Sequence, residues 1–204
     1  MRRFINLLLF LSAGISGCTT VPAPKYYRVL LDPTEATAPP FSTPVASLRV
    51  ARFQAVPPLR QDSIVIYRDS SPRVDFSPYD RWESSPPDIV NRKLTEAFRE
   101  SRLFSRVECQ PSTTPADYIL RGRILRFNQL KTQNGSYGEV ALEIEFQNYK
   151  THAIIWSAMV QYREKARADD IEAVIDAVGS SLRYCIGQIV QNVKMGTAFR
   201  QSLQ

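Results

Sequence analysis

From Ile171 to Val193 the chain carries a run of apolar residues, Ile171, Val174, Ile175, Val178, Leu182, Cys185, Ile186, Ile189 and Val193, spaced by three and four. That spacing puts them on one face of a long α-helix opened by Asp169 and Asp170, and such a face must be buried against a second layer. The segments upstream supply it. Tyr118 to Phe127, Tyr137 to Gln147 and Ile154 to Tyr162 read as three strands, joined by turns at Asn134-Gly135 and Tyr149-Lys150-Thr151. Asn-Gly is the pair favoured in tight hairpins. The middle strand alternates Val140, Leu142, Ile144 and Phe146 with Glu139, Ala141, Glu143 and Glu145, so its sheet has one apolar and one wet face.

The amino-terminal half adds short strands and a second helix. Tyr26 to Leu31, Ser47 to Phe53, Ser63 to Tyr67 and Arg73 to Phe76 are rich in β-branched and aromatic residues, with Asp69-Ser70-Ser71-Pro72 as a hairpin turn. Asp32 to Pro44 carries four prolines and reads as an irregular connection. Ser85-Pro86-Pro87-Asp88 opens a helix with Val90, Leu94, Ala97, Phe98 and Ser101 on one face, ending near Leu103. Phe104 to Cys109 is a further short strand. Two amphipathic helices and a one-sided sheet can bury their apolar surfaces only against each other. The expected fold is a single α+β domain, an antiparallel sheet with both helices packed on one face.

The first residues are set apart from that domain. Arg2 and Arg3 precede the apolar run Phe4 to Leu11, followed by small residues from Ser12 to Gly17 and then Cys18. This is a secretory leader, too short to span a bilayer. Ile15-Ser16-Gly17-Cys18 matches the bacterial lipobox, in which the cysteine sulfur receives a diacylglyceryl group. Two acyl chains suffice for stable anchoring. Thr19, where inner-membrane lipoproteins of enteric bacteria usually carry Asp, directs the chain to the outer membrane, facing the periplasm. The expected organisation is a signal peptide over 1–17, a lipidated tether over 18–25, one domain over 26–196 and a tail over 197–204.

Composition narrows the chemistry. Of 204 residues 44% are hydrophobic and 23% charged, as in globular proteins. Loss of Arg2 and Arg3 with the leader lowers the net charge from +6 to +4, a mildly basic surface without a nucleic-acid footprint. One His and three Cys, with no CxxC, are too few for a Cys/His zinc site, and neither GxGxxG nor GxxxxGK[ST] occurs. No metal, and no cofactor beyond the covalent lipid on Cys18, is expected. His152 lies in a turn without a hydrolase motif beside it, and the row Glu139, Glu143, Glu145 is explained by a solvated sheet face. No catalytic residue is assigned. Arg99, Arg102, Arg106, Arg121, Arg123 and Arg126 make the centre of the chain locally basic, suited to head groups or an acidic partner, though a solvated surface accounts for them as well.

Two features stay open. Cys109 and Cys185 remain after lipidation, and a bridge between them in an oxidising compartment would contribute about 4 kcal/mol. Cys185 also belongs to the apolar stripe, where a free thiol packs as a small hydrophobe. Tyr79-Asp80-Arg81-Trp82 reads as a polar loop before the first helix. Tyr79, Arg81 and Trp82 are either a partner-binding cluster, since Arg and Trp dominate hot spots, or, for Trp82, the end of the core.

The order of motifs resembles a known family. A lipobox, Tyr26-Tyr27-x-Val29-Leu30, Leu48-Arg49-Val50, Ile64-Val65-Ile66-Tyr67-Arg68 and Tyr79-x-Arg81-Trp82 precede the helix with Leu94; Phe104-Ser105-x-Val107 and Ala116-Asp117-Tyr118-x-Leu120 follow it. Together they resemble the ABC-type transport auxiliary lipoproteins, the family that includes paraquat-inducible lipoprotein C. Glu83-Ser84-Ser85-Pro86 departs from the family's continuation after the Trp. The resemblance implies a non-catalytic periplasmic lipoprotein working with an ABC ATPase, a permease and an MCE-domain protein in phospholipid movement between inner and outer membranes. Self-association into a homo-oligomeric ring is a further option in such families. The alternative is a lipoprotein that helps assemble an outer-membrane β-barrel.

Overall fold

The computed structural model describes residues 22–31 and 46–201. The leader, Cys18 and the connection over 32–44 lie outside the described residues.

The spine of the fold is a long strand. In chain order the strands are β1 (Lys25–Tyr27), β2 (Ser47–Val50), β3 (Gln54–Ala55), β4 (Ser63–Arg68), β5 (Ser71–Trp82), β6 (Arg106–Cys109), β7 (Tyr118–Thr132), β8 (Gly135–Asn148) and β9 (Ile154–Lys165); the helices are α1 (Pro86–Ser101) and α2 (Ile171–Gln201). β7 pairs along one side with β8, and β8 with β9, as the antiparallel meander read from alternation. Gly135, at φ 112°, takes the left-handed position of the β7–β8 turn that an L side chain would resist.

Along its other side β7 is met in succession by β2, β3 and β4, all parallel to it. β6 adds to β2 and β1 to β5, both in parallel. The α+β domain with two helices is as expected, but the sheet is mixed rather than antiparallel. The physical reason is the crossover: the chain passes through α1 between β2 and its partners β6 and β7, and a helical return brings strands back in parallel.

α1 lies on β2, β3, β6 and β7, α2 on β7, β8 and β9, and the helices touch. Ser85 caps α1, with Pro86 in its first turn as read from sequence; the Ser85 hydroxyl donates to Asp88 at 2.6 Å. Besides Ile89, Val90, Leu94 and Phe98, α1 buries Asn91. Its side chain accepts from Phe53 N–H at 2.9 Å and donates to the Ala51 carbonyl at 3.1 Å, fixing the bend between β2 and β3 to the helix. Every residue of the α2 stripe from Val174 to Val193 is buried. α2 continues to Gln201, so residues 197–201, expected in a tail, belong to the last helix.

Candidate docking surface

The Tyr79–Trp82 segment forms the end of β5 rather than a loop. Against β4, Ser63 pairs with Arg81 and Val65 with Phe76, so β5 accommodates extra residues in a bulge between Phe76 and Arg81. The bulge is held from within. Ser77 donates its hydroxyl to Asp80 at 2.6 Å, and the Arg81 guanidinium donates to the carbonyls of Ser77 (2.6 Å), Asp80 (3.0 Å) and Pro78 (3.3 Å), with Asp62 at 4.0 Å.

Trp82 is 0% exposed and stands edge-on to Phe127 with ring centroids 5.1 Å apart. It therefore closes the core and is withdrawn as a contact residue: it shares the inward register with Tyr27, its neighbour on β1. Arg81 is engaged by its own strand. Of the three residues singled out, only Tyr79, 40% exposed, offers its side chain to a partner.

The acidic and basic rows of the sequence meet on the wet face of the sheet. Arg121 lies opposite Glu145 and Arg123 opposite Glu143 in the β7–β8 register. Arg121 donates to Glu145 at 3.1 Å, while Glu139 receives Arg163 at 3.2 Å, Arg126 at 3.6 Å and the Asn128 amide at 3.4 Å. Arg126 stacks over Tyr67 and Arg163 over Tyr137. Cross-strand pairing thus offsets much of the local positive charge expected from Arg121, Arg123 and Arg126. Arg99 and Arg106 donate to backbone carbonyls of Val107 and Pro115.

Both thiols are free in the structure, so the Cys109–Cys185 bridge is not formed. Cys109 sits beside the Asn91 amide, Cys185 against the carbonyls of Val140 and Val160, and burial pushes the Cys185 thiol up to about 12. His152 is exposed in the β8–β9 turn at φ 56°. Among the described residues no group of three or more His, Cys, Asp or Glu is arranged to hold a metal ion, and no helix is long and apolar enough to cross a membrane.

Sequence reasoning missed one clamp. The Asp117 carboxylate accepts the Ser47 backbone N–H at 2.9 Å and its hydroxyl at 2.8 Å, tying the start of β2 to the start of β7. These bonds hold the Asp117 carboxyl below its ordinary range. Its signal was the Ala116-Asp117-Tyr118 motif, whose role only the fold reveals.

Among the described residues β9 pairs with β8 alone and is an edge of the sheet, twelve residues long, and it exposes Ile154, Met159 and Tyr162; Tyr162 stacks on Tyr184 of α2 at 4.1 Å. An open edge of this length presents unpaired backbone groups to an added strand.

Two helices over one face of a mixed sheet, with paired charges on the other, define a two-layer α+β domain shared with solved structures. A Xanthomonas campestris protein of the DUF330 family superposes with a TM-score of 0.73 at 17% identity, covering 87% of this chain and 99% of its own. A second crystal structure, of an uncharacterized protein, matches with a TM-score of 0.65 at 11% identity over 84% of this chain and 99% of that one. No curated protein sequence matches the chain. The chain belongs to the family of ABC-type transport auxiliary lipoprotein components, whose model matches residues 29–190.

Proposed function

We propose that the chain is the periplasm-facing lipoprotein subunit of an MCE-type ABC transport system, anchored to the outer membrane through Cys18. In that role it docks the components that move phospholipid between the membranes and performs no chemistry itself. The family match over residues 29–190, following a lipobox at Ile15–Cys18, carries the reading. The fold suits such a role. Among its accessible features are a strand edge at β9 and a charge-paired sheet face, both suited to contact with a partner.

On this reading the MCE-domain protein adds to the β9 edge, where Met159 is 57% exposed, and the lipid on Cys18 fixes where along the periplasm that contact is made. The test is affinity isolation of the tagged, lipidated chain from detergent-solubilised envelopes. Recovery of the ATPase, permease and MCE-domain protein of one system supports the proposal. Recovery of an outer-membrane β-barrel in their place favours the assembly-factor alternative.

A further inference from the structure

We propose that the outer surface of β1 and β5 is a seat for the phospholipid bilayer, so that the anchored domain lies against the membrane in one orientation. This rests on lipidation of Cys18. Lys25, the first residue of β1, follows Cys18 by seven positions. At about 3.3–3.6 Å per residue the intervening chain spans at most about 25 Å, so β1 stays close to the head groups.

What stands there matches an interface. Tyr26, 61% exposed, pairs with Arg81, which pairs in turn with Ser63 of β4; Val65, on the same face of β4, pairs with Phe76. Register therefore places Tyr26 of β1 and Phe76 and Val74 of β5 on one face, with β4, whose Val65 is buried, linking the two. Phe76 is 42% exposed, and Tyr79 projects from the bulge between Phe76 and Arg81.

Charge fits the same occupant. Asp75, the acidic residue between Val74 and Phe76, is bridged by Arg68 at 3.1 Å and Arg73 at 2.7 Å, and the Asp80 carboxylate accepts the Ser77 hydroxyl. Arg28, exposed, lies two positions beyond Tyr26, and Lys25, also exposed, precedes Tyr26 on the opposite pleat of β1. Tyrosine rings beside basic side chains suit the head-group layer, where the ring takes the apolar side and the cations meet phosphate. The anchor makes this second contact intramolecular, so a patch too weak to hold a free domain can still orient a tethered one.

The experiment uses the lipidated chain in phosphatidylethanolamine/phosphatidylglycerol vesicles containing nitroxide-headgroup lipid. Tyr26→Trp reports from the patch. Met195→Trp reports from the far part of α2, sixteen residues beyond Gly179, whose position abuts Val29 and Leu30; that is about 24 Å along the helix axis. Emission is read above that of the unsubstituted lipoprotein, which carries Trp82 and Trp156. The expected result is loss of the Tyr26→Trp emission on adding nitroxide lipid, with the Met195→Trp emission retained. Equal quenching of both, or none at Tyr26→Trp in vesicles that carry the protein on flotation, overturns the seat and leaves the anchor standing. A Tyr26→Trp emission that shifts only when the ATPase, permease and MCE-domain protein are added assigns the surface to a protein and also overturns the seat. Failure to float, with a bare Cys18 by intact mass, overturns the anchor and the seat together.

Discussion

At Gly138 the backbone of α2 lies directly on β8. A Cβ built there lies 2.2 Å from the Val178 nitrogen, 2.4 Å from the Ala177 carbonyl carbon and 2.7 Å from the Val178 Cα. These are backbone atoms of a helix whose stripe fills the core, so no side-chain rotation relieves the overlap. Gly138→Ala must push α2 away from β8, and overpacking of this kind costs about 1–3 kcal/mol, with a rigid backbone obstacle at the upper end. Displacing the helix also strains the Ser181 hydroxyl, which donates to the Gly138 carbonyl at 2.8 Å and accepts the Glu164 N–H at 3.1 Å. At about 2–4 °C per kcal/mol for a domain of this size, a loss of about 3 kcal/mol lowers Tm by roughly 6–12 °C.

Gly187 on the same helix has nothing within 4 Å of its built Cβ. There Gly→Ala raises stability by about 0.4–1 kcal/mol, because Ala restricts the unfolded chain and favours the helix. Thermal and urea unfolding of the Cys18→Ala chain, followed by circular dichroism, reads both substitutions in one background. A Gly138→Ala protein within 1 kcal/mol of its parent would refute the close approach of α2 to β8.

Other consequences are as direct. Trp82→Ala costs about 3–5 kcal/mol in urea unfolding, whereas Tyr79→Ala stays within about 0.5 kcal/mol, because only the first empties a core position. Asp117 has a folded pKa below its ordinary value of 3.8, so the stability it contributes is present above that value and is lost as pH falls through the folded one. Asp117→Asn is accordingly less stable than the parent near neutral pH, by about 1.5–3 kcal/mol for the charged hydrogen bonds, and the two converge in acid titrations below pH 4. Native Cys109 reacts with iodoacetamide, while the buried Cys185 thiol, pushed up to about 12, reacts only after unfolding; mass spectrometry of the quenched adducts counts the two steps. Met159→Lys, which places a charge on the β9 edge, reduces recovery of the MCE-domain protein in affinity isolation without lowering Tm.

Periodicity made the layers legible and left the pairings hidden. The α2 stripe and the β7–β8–β9 meander could be read because each is a local pattern, spaced by three and four in one case and by two around Asn134-Gly135 in the other. β2 and β4 pair with β7 across more than sixty residues of chain, and no local signal records a partner at that distance. Composition points to a strand only over Arg73 to Phe76, whereas β5 runs on to Trp82; it tolerates Pro72 and Pro78 since, among the described residues, β1 covers only Asp80 to Trp82, leaving the rest of β5 as an edge.

The surface divides in the same way. Glu139, Glu143 and Glu145 and the arginines of β7 were each visible as rows, yet only the register shows them facing one another. Trp82 could be read as a hot spot or as core until its partner Phe127 was placed. Asn91 carries no local signal of its role, because its donor and its acceptor lie 38 and 40 positions away on the β2–β3 bend.

The proposed role rests on one sulfur, that of Cys18. Intact-mass analysis of the chain extracted from bacterial envelopes should find a mature protein beginning at Cys18, heavier than its sequence by a diacylglyceryl group and any added acyl chain. A protein of unmodified mass, with Cys18 bare or the leader still attached, would contradict it.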